Sequence, residues 1–259
     1  MAAPVIILGI ETATQQVGAA LGGQEGVLAS AHVARGRRHA ETLTPAIEFV
    51  CRQARVELAE VSAVAVDVGP GLFTGLRVGV AAAKATAQAL RVPMIALSSL
   101  DLLAYPVRHT DRLIAAVIDA RKGEVYSALY RQAPGGVQRL SPPRVAAPSE
   151  LAAELGARGE PTLVVGDGAI RYAGVFAGER RTVLATVGTA YPSAAALVEL
   201  AQPRALREEF VLPSEIEVVY LRKADAEINW ERRSVTGAGA PVGGSPGQPA
   251  PSGPDRARS

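Results

Sequence analysis

Cysteine is almost absent from this sequence, because Cys51 is the only one among its 259 residues. A single cysteine cannot form an intrachain disulfide, which excludes a small scaffold stabilised by disulfides. Cys51 falls on the apolar face of a predicted helix, and this position favours a buried core thiol over a nucleophile.

The sequence also lacks a strong charge of either sign and a long hydrophobic run. Its formal net charge is +2 and its charged residues are scattered, so tight direct binding to nucleic acid is not indicated. No apolar run approaches the roughly 20 residues of a membrane span, and the first ten residues do not fit a signal peptide. We expect a soluble, cytoplasmic protein with a substantial core and no membrane contact.

One glycine-rich stretch, GPGLFTGLR at residues 69–77, organises the chain. It lies between an apolar run at 64–68 and a small-residue helix predicted at 74–90, which indicates a strand, a tight turn and a helix. The stretch fits neither a dinucleotide fingerprint nor a Walker motif, since Gly75 is followed by leucine instead of lysine. The turn could bind an anion through backbone N–H groups, or it could serve packing alone.

The hydrophobic pattern predicts two related α/β halves. The first half has the order βββαβαβα, and a strand, acid, turn and strand sequence recurs at 113–130. The predicted domains are an N-terminal lobe at 1–106, a smaller lobe with the C-terminal segment at 107–233, and a disordered Gly/Pro/Ser-rich tail at 234–259. The predicted strands lie near 5–10, 17–21, 27–33, 64–68, 94–97, 113–118, 124–130 and 162–165. The predicted helices lie at 38–54, 74–90, 149–155 and 193–201, the last with Ser193 as a good N-cap, and a short helix begins at Ser99. A turn is predicted at 166–168 and an extended segment at 216–221.

Polar side chains near strand ends are the candidates for chemistry. Glu11 and Thr12 follow the first strand, where they could bind a metal-phosphate group, although the acid could simply end the strand. Asp119 has the corresponding place in the second half, and Asp167, between two glycines, could contact a nucleoside. The sequence has no His-x-x-x-His pair and no Gly-x-Ser-x-Gly elbow, so we predict no metal site and no catalytic residue.

Several segments taken together resemble the bacterial TsaB family, and the match runs in order over about residues 4–233. The glycine-rich signature is the most specific of them. These segments are ILGIETAT at 7–14, RHAE at 38–41, GPGLFTGLRVG at 69–79, DARKGEVY at 119–126 and VYLR at 219–222.

The resemblance implies an actin/Hsp70-like (ASKHA) fold with two lobes, each built on a ribonuclease-H-like mixed sheet flanked by helices. It implies an accessory subunit without enzymatic activity or cofactor in the synthesis of N6-threonylcarbamoyladenosine (t6A) in tRNA, which binds and activates the transferase TsaD. A TsaE-like ATPase would be a further partner, and tRNA would be met only through the complex. Without TsaD, the same helical surface could form a homodimer.

The resemblance also implies which residues meet the partner. Helices 38–54 and 74–90 would pack on the matching helices of TsaD, and a stripe of small residues would permit a close approach. A nucleotide at the joint with TsaD would contact Glu11, Thr12, Gly69 and Gly71. The predicted partner-binding residues are Arg38, His39, Leu43, Ile47, Thr74, Gly75, Arg77, Val78, Gly79, Ala82, Ala83 and Thr86.

Two other functions stay open at this point. An autonomous ASKHA-type ATPase or small-molecule kinase would use Glu11, Thr12, Asp119 and the glycine turns. Against it, active relatives have Asp-x-Gly-Thr after the first strand, whereas this chain has Glu11 and Ala13, and the extra Cβ stands where a phosphate would approach. A glycoprotein peptidase is the third and remote reading, since no metal site or nucleophile supports it.

Overall fold

The computed structural model describes residues 5–34 and 38–221, which form two mixed sheets with helices packed on them. The strands of the first sheet are β1 (Ile6–Glu11), β2 (Val17–Gly23), β3 (Gly26–Val33), β4 (Ala63–Asp67) and β5 (Met94–Leu97). Those of the second are β6 (Leu113–Arg121), β7 (Glu124–Ala133), β8 (Gly136–Arg139), β9 (Arg144–Ala146), β10 (Thr162–Val165) and β11 (Thr182–Leu184). The α-helices are α1 (His39–Ala54), α2 (Phe73–Leu90), α3 (Ser99–Ala104), α4 (Pro148–Arg158), α5 (Asp167–Arg171), α6 (Ala173–Phe176) and α7 (Ala194–Leu206).

The strand order of the first sheet is β3-β2-β1-β4-β5. Its first three strands form an antiparallel meander, and β4 and β5 join β1 in parallel. The second sheet has the order β11-β10-β6-β7-β8, in which the β6–β7 pair is antiparallel and the β6–β10 pair is parallel. The predicted α/β fold class, with two mixed sheets flanked by helices, is confirmed.

Both faces of the first sheet are buried, each under different helices. Side chains alternate along a strand, so Leu8 and Ile10 belong to the core beneath α1 and α2, whereas Ile7 and Ala65 pack on the opposite face with Leu197 of α7. A helix from the end of the described chain therefore completes the sheet made by its beginning.

The second sheet is also covered on both faces. Ile114 and Ile118 pack with Leu103 of α3 in one cluster, and Val117 and Phe176 lie in the cluster on the other face. The two sheets thus come from successive stretches of the chain, but the predicted domain limits themselves stay a prediction, and the predicted tail lies outside the described residues.

Most predicted elements are present, and one differs in its details. The residues predicted as a turn at 166–168 instead begin α5, whose first residue is Asp167. Helix α1 contains Pro45 in its interior. Residues 216–221 lie outside the named strands, and Val219 N donates a hydrogen bond to the Val68 carbonyl at 2.8 Å. Within the described ranges, no helix is long and apolar enough to cross a membrane.

Helix α7 begins at a side-chain cap, which confirms the prediction made for Ser193. Ser193 Oγ accepts hydrogen bonds from Ala195 N at 3.2 Å and Ala196 N at 3.5 Å. We expect Ser193→Ala to lower the free energy of unfolding by about 1 kcal/mol, because two helix N–H groups lose their acceptor. Urea unfolding measures this, with the exposed Ser30→Ala as the control; equal effects of the two substitutions would contradict the assignment.

Candidate functional site

The loop after β1 is tied to the start of α2. Glu11 is fully buried, and its Oε1 accepts a hydrogen bond of 2.7 Å from Ala13 N. Thr12 Oγ1 donates to the Gly75 carbonyl at 2.8 Å, and Leu72 N donates to the Ala13 carbonyl at 2.6 Å. Through these hydrogen bonds, polar groups of the loop are paired with other groups of the same chain.

Two glycines of α2 make this contact possible. A Cβ at Gly75 would lie 2.2 Å from the Thr12 carbonyl oxygen, and one at Gly79 would lie 2.1 Å from Thr12 Oγ1. Both distances are shorter than any side chain tolerates, so the helix approaches the loop only because these positions carry no side chain. The glycines predicted to admit a partner helix therefore have a role within the chain.

A second buried acid lies beside Glu11. Asp67 ends β4, the parallel neighbour of β1, and is fully buried. Its Oδ1 accepts hydrogen bonds from Gly69 N at 2.8 Å and Ser99 Oγ at 2.7 Å. Asp67 is not among the site residues predicted from the sequence, although an acid between a strand and a glycine turn is a recognisable signal.

The remaining oxygens of this acid pair have no partner. Glu11 Oε2 and Asp67 Oδ2 are buried and make no hydrogen bond within the described part of the chain. Burial, together with the neighbouring Asp67 charge, raises the pKa of the Glu11 carboxyl well above its usual range. Burial also raises the pKa of Asp67 to about 7. At neutral pH, we therefore expect the pair to carry at least one proton, since two buried charges without a cation are strongly unfavourable.

The four residues predicted to contact a nucleotide, Glu11, Thr12, Gly69 and Gly71, lie together around this loop. The first three are buried and Gly71 is half-buried. A nucleotide contact at these residues stays a prediction. Over residues 5–34 and 38–221, no three His, Cys, Asp or Glu side chains are grouped as a metal site would need.

A cleft of about 330 Å³ lies beside the second sheet, lined in part by Gln15, Asp119, Asp167 and Tyr191. Asp119 Oδ2 lies 3.2 Å from Arg121 Nη1 and 3.5 Å from Arg171 Nε. The Asp119 backbone N–H donates to Asp167 Oδ1 at 2.9 Å, and burial raises the pKa of Asp167 to about 6. The two acids predicted from the sequence are thus brought together, with the Asp119 charge balanced by arginine.

The predicted partner-binding residues divide by exposure. Those that are buried within the chain are His39, Leu43, Gly75, Gly79 and Ala83. Those that are half-buried or exposed are Arg38, Ile47, Thr74, Arg77, Val78, Ala82 and Thr86. The surface of α1 and α2 that a partner can reach is therefore made by the second group, together with exposed neighbours such as Ala81.

An aromatic and cationic cluster borders this surface. Phe73 and Tyr220 have ring centroids 5.1 Å apart, and the Arg77 guanidinium lies 3.9 Å from the Phe73 centroid. Arg77 Nε donates a hydrogen bond to the Tyr220 hydroxyl at 3.2 Å. Tyr220 belongs to the VYLR segment that carries part of the family resemblance, but its packing against α2 was not predicted from the sequence.

Comparison with known proteins places the chain in a family. A family model described as TsaD, tRNA N6-adenosine threonylcarbamoyltransferase, matches residues 27–230. The chain is 35% identical over 136 residues to the Bacillus subtilis tRNA threonylcarbamoyladenosine biosynthesis protein TsaB, covering 52% of this chain. It is 32% identical over 133 residues to TsaB of Escherichia coli, covering 51% of this chain.

The similarity to one solved structure covers the full length of that protein. A Pseudomonas aeruginosa protein described as similar to the peptidase YeaZ is 30% identical and superposes with a TM-score of 0.75, over 84% of this chain and all of that one. The chain belongs to the bacterial TsaB family. Within this family, the matched regions span 59% of the Bacillus TsaB and 57% of the Escherichia TsaB.

Proposed function

We propose that this TsaB family member is a non-catalytic subunit in the synthesis of t6A in tRNA, where it binds and supports a TsaD-type transferase. Family membership carries the proposal, since the TsaB relatives are named as t6A biosynthesis proteins. The match to a model of the transferase itself supports a partner of related fold. In the cytoplasm, a TsaE-like ATPase would be a further partner, and tRNA would bind only to the assembled complex.

The loop after β1 supports a non-catalytic role. Thr12 Oγ1, a hydroxyl that could contact a metal-phosphate group, instead donates a hydrogen bond to the Gly75 carbonyl. Glu11 is fully buried, and its raised pKa disfavours the ionised form that a magnesium ion needs. These groups hold α2 in place, and we propose that holding α2 in place is their function.

The proposed contact surface consists of the accessible parts of α1 and α2. Ala81 is exposed there, between the exposed Arg77 and the half-buried Ala82, and small side chains permit close helix packing. We expect Ala81→Trp to weaken binding to TsaD at least about tenfold, because the indole would separate the two helices. Isothermal titration calorimetry of the purified proteins measures the dissociation constant.

The matched control is Ala153→Trp, which places the same ring on an exposed position of α4. The control is expected to bind TsaD as the unmodified chain does, and the same loss with both variants would contradict the assigned surface. Absence of any binding between the unmodified chain and TsaD, or full t6A formation by TsaD, TsaE and the adenylate-forming enzyme without this subunit, would contradict the proposed function.

An autonomous ATPase is the second candidate, and the cleft beside Asp119 and Asp167 favours it. It predicts magnesium-dependent ATP hydrolysis by the isolated chain that is lost in Asp119→Asn. Hydrolysis at the same rate in that variant, or no hydrolysis, would exclude this candidate.

A further inference from the structure

The Phe73–Arg77–Tyr220 cluster joins two parts of the chain that are almost 150 positions apart. Tyr220 is 45% exposed, Arg77 is exposed and Phe73 is half-buried. The cluster is therefore a surface feature. Arginine and aromatic residues are the types most enriched at the centres of protein interfaces.

The segment that leads to Tyr220 is fixed by several contacts upstream of the cluster. Val219 N donates to the Val68 carbonyl just before the glycine turn, and Ile216 is buried in the core beneath α1 and α2. Further upstream, Val211 pairs with Met94 of β5. A surface held in this way loses little conformational entropy when a partner binds.

The charge of the cluster points to the chemistry of its partner. Helix α2 contains Arg77 and Lys84 but no acidic residue. Arg77 forms no ion pair with any carboxylate of the described residues, and its one hydrogen bond there uses Nε. Both Nη groups thus have no partner among residues 5–34 and 38–221, and a guanidinium with two unpaired N–H groups matches a carboxylate in a bidentate pair.

We propose that a carboxylate side chain of the TsaD-type transferase docks on the Phe73–Arg77–Tyr220 cluster. Arg77 binds the carboxylate, and the Phe73 ring packs against the guanidinium. Tyr220 is a positioning residue, whose hydroxyl accepts a hydrogen bond from Arg77 and so orients it. The inference rests on the proposed function, because the cluster is continuous through Thr74 and Val78 with the surface proposed for TsaD. It adds the C-terminal segment to that surface.

Calorimetric titration of the full chain with purified TsaD tests the inference. We expect Arg77→Gln to weaken binding about 10- to 100-fold, as loss of a charge-assisted bidentate pair does. Arg77→Lys should weaken binding less than Arg77→Gln but still measurably, because lysine keeps the positive charge but lacks the two parallel N–H donors of the guanidinium. Tyr220→Phe should weaken binding less than Arg77→Gln, since it removes only the hydrogen bond that orients Arg77.

The salt dependence and a control variant distinguish a specific ion pair of Arg77 with a TsaD carboxylate from a general effect of removing an arginine. Raising the salt concentration should weaken binding of the unmodified chain more than that of Arg77→Gln. Arg108→Gln is the matched control, since Arg108 also lies 3.9 Å from an aromatic ring, that of Tyr105, outside the proposed surface; it should bind within about twofold of the unmodified chain. Thermal unfolding of each variant verifies that the fold is kept.

The outcomes distinguish the inference from the function on which it rests. If the unmodified chain binds TsaD and Arg77→Gln binds equally well, the docking site is wrong while the proposed function stands. If Arg77→Gln weakens only self-association of the chain, the occupant is a second copy and the inference is overturned. If the unmodified chain does not bind TsaD, the proposed function fails together with the docking site.

Discussion

Glu11→Gln is expected to make the chain more stable than the unmodified protein above pH 7, by roughly 2–4 kcal/mol. The glutamine carbonyl can keep the hydrogen bond from Ala13 N that Glu11 Oε1 accepts. Its amide group has two N–H donors that can serve Asp67 Oδ2, which is buried without a partner. The variant thus removes one buried charge and supplies a donor to the other acid.

The sign of the pH dependence follows from the direction of the two pKa shifts. Both acids have a raised pKa in the folded chain, so the unfolded chain releases its protons first as the pH rises. The stability that comes from the protonated pair is fully present below about pH 4 and is lost as the pH rises through about 7. For Asp67 alone, a rise of the pKa from 3.8 to about 7 corresponds to about 4 kcal/mol.

Urea unfolding at intervals from pH 5 to pH 9 measures this effect. The unmodified chain should lose stability across this range, and Glu11→Gln should lose clearly less. Glu25→Gln, at an exposed position, is the control and should follow the unmodified chain. A stability profile that is the same for Glu11→Gln and the unmodified chain would show that the pair is not protonated.

Gly75→Ala is expected to lower the free energy of unfolding by about 3 kcal/mol, although alanine is the better helix former. The added Cβ would lie 2.2 Å from the Thr12 carbonyl oxygen and 3.1 Å from His39 Nε2. The clash is with backbone, so α2 or the loop after β1 has to move. Such a movement would also break the hydrogen bond from Thr12 Oγ1 to the Gly75 carbonyl.

Chemical denaturation measures the free energy of unfolding of Gly75→Ala and of the control variant Gly174→Ala. Gly174 lies in α6 with nothing within 4 Å of the position of its Cβ, so alanine there should be neutral or stabilising by up to about 1 kcal/mol. A gain in stability at both positions would mean that the loop after β1 does not hold α2 closely.

The sequence was sufficient to predict the strands of the first sheet, because apolar runs of strand length are separated by clear turns. The strand Met94–Leu97 was predicted to the residue, and α1 within one residue at its start. The prediction that α7 is capped by Ser193 was also correct. In each case the signal is local, since periodicity and capping depend on residues within a few positions of each other.

Contacts between distant segments could not be predicted in the same way. The small residues of α2 indicate a close neighbour but not which one, and that neighbour is the chain's own Thr12. The packing of α7 on the first sheet joins residues almost 190 positions apart. The buried pair of Glu11 and Asp67 depends on strand order, which places β4 beside β1, and no local pattern contains that order.

The position of α7 has a consequence for how the protein is made. Until residues 194–206 leave the ribosome, the face of the first sheet that carries Ile7 and Ala65 lacks the long helix that packs on it. At about 5–20 residues per second, the nascent chain exposes this apolar surface for several seconds after β5 has been synthesised. The N-terminal sheet therefore cannot mature before α7 has been synthesised, and this interval is when the chain is most open to chaperones and to aggregation.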